Sequence, residues 1–194
     1  DPTDYRALIV LGGPDSANDE TPKMLEEVIR VREAIEFGTP YLGICLGLQV
    51  AVKAMGGRVV KSPIKEVGFR DPNGEYLAVD LTEAGQNDPF LNGLPTHFKT
   101  FELHGEMVEL TPGMQLLGTG AFCRNQIVKI APKAYGFQCH FEITPELLET
   151  LLQKDPDLTQ LDHEQVRSDF RAINSEYTLT AKTIIRNFLA LAGI

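Results

Sequence analysis

Three residue types that together perform acyl transfer stand in this chain in settings that would expose them. Cys45 lies in Gly43-Ile44-Cys45-Leu46-Gly47-Leu48-Gln49, between the apolar run Tyr41-Leu42 and a stretch from Leu46 to Met55 with apolar residues at helical spacing. A cysteine between strand and helix, with a glycine two residues away on each side, has the form of a sharp nucleophile elbow. The glycines serve the turn: its backbone angles are unusual, and side chains at 43 and 47 would obstruct neighbouring strands. The first N–H groups of the helix point at the sulfur, and the helix dipole favours thiolate over thiol. On this stretch alone a second reading stays open, in which Cys45 is a small buried hydrophobe.

The other two types come from Tyr135-Gly136-Phe137-Gln138-Cys139-His140-Phe141-Glu142. Alternation puts Phe137, Cys139 and Phe141 on one face and Gln138, His140 and Glu142 on the other. Three polar residues in a buried strand are costly unless paired or functional. Thr144-Pro145 then caps a helix, so His140 and Glu142 sit near the strand's C-terminal end, where sites in open α/β sheets form. Cysteine, histidine and carboxylate suffice for nucleophilic acyl transfer. His140 would take the thiol proton and return it to the leaving nitrogen, and Glu142 would orient the imidazole. Backbone N–H groups of Leu46 and of the Gly12-Gly13 turn are the natural oxyanion donors. No metal is expected, because Cys45, Cys123 and Cys139 lack paired-ligand spacing.

The elements that must hold these residues alternate. Ala7–Leu11 reads as a strand buried on both faces, ending in Gly12-Gly13-Pro14. Thr21-Pro22 starts a helix that Gly38 stops, with Met24, Leu25, Val28, Ile29 and Ile35 as its apolar side. Strand, helix, strand, elbow and helix predict a doubly wound, mostly parallel α/β sheet. Short strands are expected at 58–60, 76–81, 98–103, 116–117 and 126–130, with a Gly- and Pro-punctuated connection at 62–74. This middle third reads as an antiparallel elaboration. Helices are expected at 145–153, at 162–174 with Asp162 and Gln165 as a capping box, and at 180–192. Nothing divides the chain, so residues 1–194 are expected to form one domain.

A net charge of −9 argues against nucleic acid or an anionic membrane as the main partner. Three cysteines without a C-x-x-C pair suggest a reducing, cytoplasmic setting. No apolar stretch is long enough to span a membrane.

Gly-Ile-Cys-Leu-Gly-Leu-Gln at 43–49, Gly-Gly-Pro at 12–14 and Gln138-x-His140-x-Glu142 resemble the three signature blocks of the class I glutamine amidotransferases. Ile64–Gly68, Leu103–Glu106 and Cys123–Gln126 are similar to stand-alone domains of the GMP synthase-like group. The resemblance implies a flavodoxin-like fold and hydrolysis of L-glutamine to glutamate and ammonia through a γ-glutamyl thioester on Cys45, with no cofactor. It implies His140 and Glu142 as the remaining triad members, and Gly12, Gly13 and Leu46 near the oxyanion. It also implies Gln49 at the substrate's amino-acid end and a synthetase partner that accepts the ammonia. Phe141 stands where the family usually has proline. Family members carry a strand-helix-strand unit ahead of the Gly-Gly-Pro strand, and only six residues precede Ala7. The chain is therefore expected to be truncated at its N-terminus, with an exposed sheet edge. A γ-glutamyl peptidase or hydrolase with the same triad is the alternative. A non-catalytic relative is disfavoured by the filled triad. His104 is open between a place at the pocket mouth and a structural role; His97 and His163 are expected at the surface, and Cys139 in the core.

Overall fold

The computed structural model describes residues 1–194. Its chain runs β1 (Leu8–Val10), α1 (Pro22–Phe37), β2 (Tyr41–Ile44), α2 (Leu46–Ala54), β3 (Arg58–Gly68) and β4 (Ala78–Leu81). It continues with α3 (Glu83–Gln86), β5 (His97–Lys99), β6 (Glu102–Glu109), β7 (Gln115–Thr119), β8 (Ile127–Ala131) and β9 (Ala134–Phe137). Two helices, α4 (Pro145–Lys154) and α5 (His163–Leu191), close it.

Seven strands form one sheet in the order β1-β2-β9-β8-β7-β4-β5. The α/β class is as expected. β1, β2 and β9 are mutually parallel, and the antiparallel elaboration continues the same sheet from β9 outward. β1 pairs only with β2, in register Leu8↔Tyr41, so it is an edge strand, and Ile9 is 45% exposed. β3 and β6 form a separate antiparallel ribbon.

The caps explain where the helices begin and end. Thr21 Oγ1 accepts from the Met24 N–H, Pro22 needs no N–H partner at N1, and Gly38 ends α1 at φ +87°. Thr144 and Pro145 repeat this arrangement at α4. No helix is long and apolar enough to cross a membrane.

Two cores sandwich the sheet. One lies under α1 and α2 and contains Met24, Ile35, Leu48, Val52 and Val128; the other contains Leu42, Ile44, Phe137, Ile184 and Phe188. A third, with Phe69, Phe101, Leu148 and Tyr177, joins α4 and α5 to the ribbon. Each fully buried large apolar side chain contributes about 1.5–3 kcal/mol.

Several local expectations are corrected. The inward side of α1 is Met24, Val31, Ala34 and Ile35, while Leu25 and Ile29 point outward. β3 extends through Ser62-Pro63 to Gly68: it pairs on one side only, and a register shift between Lys61 and Glu66 absorbs the proline. The expected strand 98–103 breaks into β5 and β6. The two C-terminal helices are one helix of 29 residues, since nothing between 174 and 180 breaks it and Tyr177 is buried there. Asp162 caps α5, but Gln165 Nε2 donates to Asp169 Oδ1 instead of reaching back, so no capping box closes.

Candidate functional site

Cys45 sits between β2 and α2 at φ 51°, ψ −107°, the one non-glycine residue with positive φ. Holding it there costs on the order of 1–3 kcal/mol, which its surroundings must offset. Its N–H donates to the Phe137 carbonyl at 2.7 Å, tying the elbow to the end of β9, and its carbonyl accepts from the Gln49 N–H at 3.1 Å. A Cβ on Gly43 would lie 2.5 Å from the Gly47 carbonyl, and one on Gly47 would collide with the Val10 carbonyl oxygen. The flanking glycines are thus required by backbone approach. The buried Tyr41 hydroxyl donates to the Gly47 carbonyl at 2.8 Å and fixes the first turn of α2.

His140 and Glu142 lie just beyond the end of β9, after a bend at Gln138-Cys139, rather than in the longer strand expected. Alternation nevertheless holds: Phe137, Cys139 and Phe141 face the core, and Gln138 and His140 face Cys45. The His140 backbone is pinned by a bridge to Phe101, and its carbonyl accepts from the Tyr177 hydroxyl of α5 at 2.9 Å. His140 Nδ1 is 2.6 Å from Glu142 Oε1, and Glu142 Oε2 accepts from the Phe141 N–H at 2.9 Å. The carboxylate therefore holds the Nδ1 proton and leaves Nε2, which has no hydrogen-bond partner, for the thiol. Burial lowers the basicity of His140, but the adjoining Cys45 and Glu142 outweigh it and hold its pKa well above the usual histidine value. For Glu142 burial acts upward, and the hydrogen bond with His140 wins, holding its pKa down. The electrostatics favour a charged imidazole paired with the Glu142 carboxylate.

The Gly12-Gly13 turn packs against this pair: a Cβ on Gly12 would meet His140 Cε1 at 3.0 Å and Cys45 Cβ at 3.5 Å. The N–H groups of Gly12, Gly13 and Leu46 have no partner within the chain, and all three residues line the same cleft as Cys45, His140, Glu142 and Gln49. All seven expected site residues therefore converge. The cleft encloses about 770 Å³ and reaches Lys65 on β3, Glu106 on β6 and Leu147 and Leu151 on α4. Lys65 pairs with Asp157, and Ser16 Oγ donates to Glu106 Oε2 at 2.7 Å, closing the rim. Such a cysteine, histidine and carboxylate, with free N–H donors opposite, can form and break an acyl thioester.

Two features were not legible from the chain's order. Gln138 is fully buried and places Nε2 3.6 Å from Cys45 Sγ; its polar position in the alternation was the only signal. In the wall of the cleft, His104 Nε2 lies 3.2 Å from both Glu66 Oε2 and Glu102 Oε2, with all three side chains buried. Both expectations for His104 hold: it lines the cleft, and it is tied into this buried cluster. Burial lowers its pKa, but the Glu102 and Glu66 carboxylates raise it to about 10. Donor atoms of Glu66, His104 and Cys123 lie within 4.8 Å of one another, and Glu66 Oε2, Glu102 Oε2 and His104 Nε2 are paired by charge at 3.2 Å without a well-formed hydrogen bond. The Leu103 carbonyl, between Glu102 and His104, faces Cys45 Sγ at 3.8 Å. Burial pushes the Cys123 and Cys139 thiols up, and neither lines the cleft. His97 is exposed beside Asp80, as expected, whereas His163 is half-buried.

Against known proteins, the class-I glutamine amidotransferase family matches residues 1–155, and the chain belongs to that family. It is 33% identical over 155 residues to the glutamine amidotransferase-like protein YfeJ of Salmonella typhimurium, covering 77% of this chain and 62% of that protein. It is 29% identical over 199 residues to a glutamine-hydrolyzing GMP synthase of Thermosipho melanesiensis, covering 97% of this chain and 34% of that protein. To the gamma-glutamyl-L-1-hydroxyisopropylamide hydrolase of a Pseudomonas species it is 28% identical, covering 56% of this chain and 36% of that protein. The chain thus spans less than two thirds of each of these relatives. Among solved structures it resembles SMU.1228c at TM-score 0.82 and 30% identity, over 100% of this chain and 82% of that one.

Proposed function

We propose that this chain hydrolyses the side-chain amide of L-glutamine to glutamate and ammonia through a γ-glutamyl thioester on Cys45. The observation that carries the reading is the strained elbow cysteine beside a carboxylate-anchored His140. Cys45 Sγ attacks the amide carbon, and His140 takes the thiol proton and delivers it to the departing nitrogen, so that ammonia leaves. Gly12, Gly13 and Leu46 N–H groups receive the oxyanion. Water then attacks the thioester with His140 as base, releasing glutamate and the thiol. Glu142 stabilises the imidazolium throughout. Gln49 Nε2 is engaged by Glu106 O and Gln138 Oε1, which leaves its own Oε1 for the amino-acid end of the substrate. Likeness to a GMP synthase supports passage of the ammonia to a synthetase partner. In that setting the chain alone turns glutamine over slowly, and a partner that prefers the competent state of the Gly12-Gly13 turn raises the rate.

A second reading, a γ-glutamyl amide hydrolase, is favoured by the Pseudomonas relative and by a cleft of about 770 Å³, roomy enough for a conjugate larger than glutamine. Turnover of glutamine and of a panel of γ-glutamyl amides and peptides by the purified protein, with no partner, separates the two. Slow release of ammonia from glutamine and nothing faster on the panel supports the first. Rapid partner-free hydrolysis of a γ-glutamyl peptide, with poor activity on glutamine, would replace it with the second.

A further inference from the structure

We propose that Gln138 is a thiolate-stabilising donor to Cys45, held in that polarity by a hydrogen-bond chain that begins at the Glu106 carbonyl. This rests on the reading of Cys45 as nucleophile. A side-chain amide presents an acceptor at one end and donors at the other, so its direction must be set by its neighbours. Here the neighbours leave one solution. Gln49 Nε2 is 3.3 Å from the Glu106 carbonyl oxygen, which can only accept, so the nitrogen end of Gln49 faces that way. The same Nε2 is 3.3 Å from Gln138 Oε1, which therefore accepts. The Gln138 Nε2 is left 3.6 Å from Cys45 Sγ, where it can only donate. Turning the Gln138 amide over would set donor against donor at Gln49 and an oxygen against the sulfur.

The chain therefore delivers an N–H to the sulfur whatever its protonation state, and a hydrogen bond to the charged form favours that form. Gln138 cannot move. It is fully buried, and its own N–H donates to the Gln126 carbonyl at 2.8 Å. Imidazole and amide serve the sulfur differently: His140 must gain and lose a proton during turnover, whereas the amide keeps the same charge at every step. Gln49 acts as a positioning residue, because it touches the sulfur only through Gln138. Since Gln49 also lines the cleft, an occupant that draws on its amide alters the donor presented to Cys45.

The test is the pH dependence of Cys45 alkylation by iodoacetamide, mapped by peptide mass spectrometry in the whole protein. Gln138→Met removes the donor at near-constant volume. The midpoint should rise by about one pH unit, which is tenfold slower alkylation below both midpoints, or about 1.4 kcal/mol. Gln49→Met frees the Gln138 amide to turn and should move the midpoint the same way by less; it carries the test alone if Gln138→Met does not fold. A structural role only would slow alkylation equally at all pH values. Superimposed midpoints for the folded variants, with the label on Cys45, would overturn the proposal and leave the nucleophile standing. A label on Cys123 or Cys139 in the wild type would strike down the nucleophile reading instead.

Discussion

His104→Gln should destabilise the protein strongly at neutral pH and hardly at all above pH 10. In the native state the imidazole stands 3.2 Å from two buried carboxylates, with Nδ1 donating to the Glu106 carbonyl at 3.0 Å. Thr100 Oγ1 donates to Glu102 Oε1 at 2.9 Å, and the thiols of Cys123 and Cys139 and the Tyr177 hydroxyl are titratable groups that feel the Glu102 charge. A neutral amide at 104 leaves Glu66 and Glu102 facing each other without a cation, a defect worth about 3–5 kcal/mol. Linkage provides a second route to the magnitude. The folded pKa lies near 10 against 6.5 for the free residue, so the stabilisation is complete below pH 6.5 and vanishes as pH rises through about 10. A pKa rise of that size corresponds to on the order of 5 kcal/mol, in agreement with the first figure. The assay is urea unfolding of wild type and variant at a series of pH values from neutral to just above 10, taking the difference at each pH. That subtraction removes lysines and tyrosines that titrate in both proteins. A difference that stays level across the series would refute the charged imidazole.

Gly47→Ala should lose about 1–3 kcal/mol in thermal unfolding, because the Val10 carbonyl in its way cannot turn aside like a side chain. Gly74→Ala, at positive φ but with nothing near its Cβ, is the control, expected to lose only about 1 kcal/mol from backbone strain. His140→Ala should abolish acyl-enzyme formation in a rapid-quench assay, while Glu142→Ala keeps a weak residual rate, since the carboxylate only orients and stabilises. Near-wild-type rates in His140→Ala would mean that another base serves Cys45.

The parts of this fold that were legible are those written locally. Thr21-Pro22 with Gly38, and Thr144-Pro145, mark helix ends because a cap needs only residues next to one another. The elbow was readable because two glycines bracket one cysteine, and the alternation of 137–142 correctly set Gln138 and His140 opposite Phe137 and Phe141. What failed depends on distant partners. Pro63 reads as a strand breaker until β3 is seen to pair on one side only. The run 174–180 looks like a gap between helices until Tyr177 is found buried, with its hydroxyl on the His140 carbonyl. Glu66, Glu102 and His104 come from two strands of a ribbon, and their shared burial depends on its register, Glu66↔His104. The direction of the Gln138 amide follows from a carbonyl on β6 that no local pattern connects to it.

The central claim is that Cys45 alone among three cysteines becomes γ-glutamylated. It lines the cleft, and Cys123 and Cys139 do not. The most direct measurement is intact-mass and peptide mapping of the protein after reaction with an electrophilic glutamine analogue, with Cys45→Ala in parallel. One adduct per chain, confined to Cys45, with no adduct and no glutamine turnover in Cys45→Ala, is the predicted result. An adduct on Cys123 or Cys139, or continued turnover by Cys45→Ala, would contradict the account.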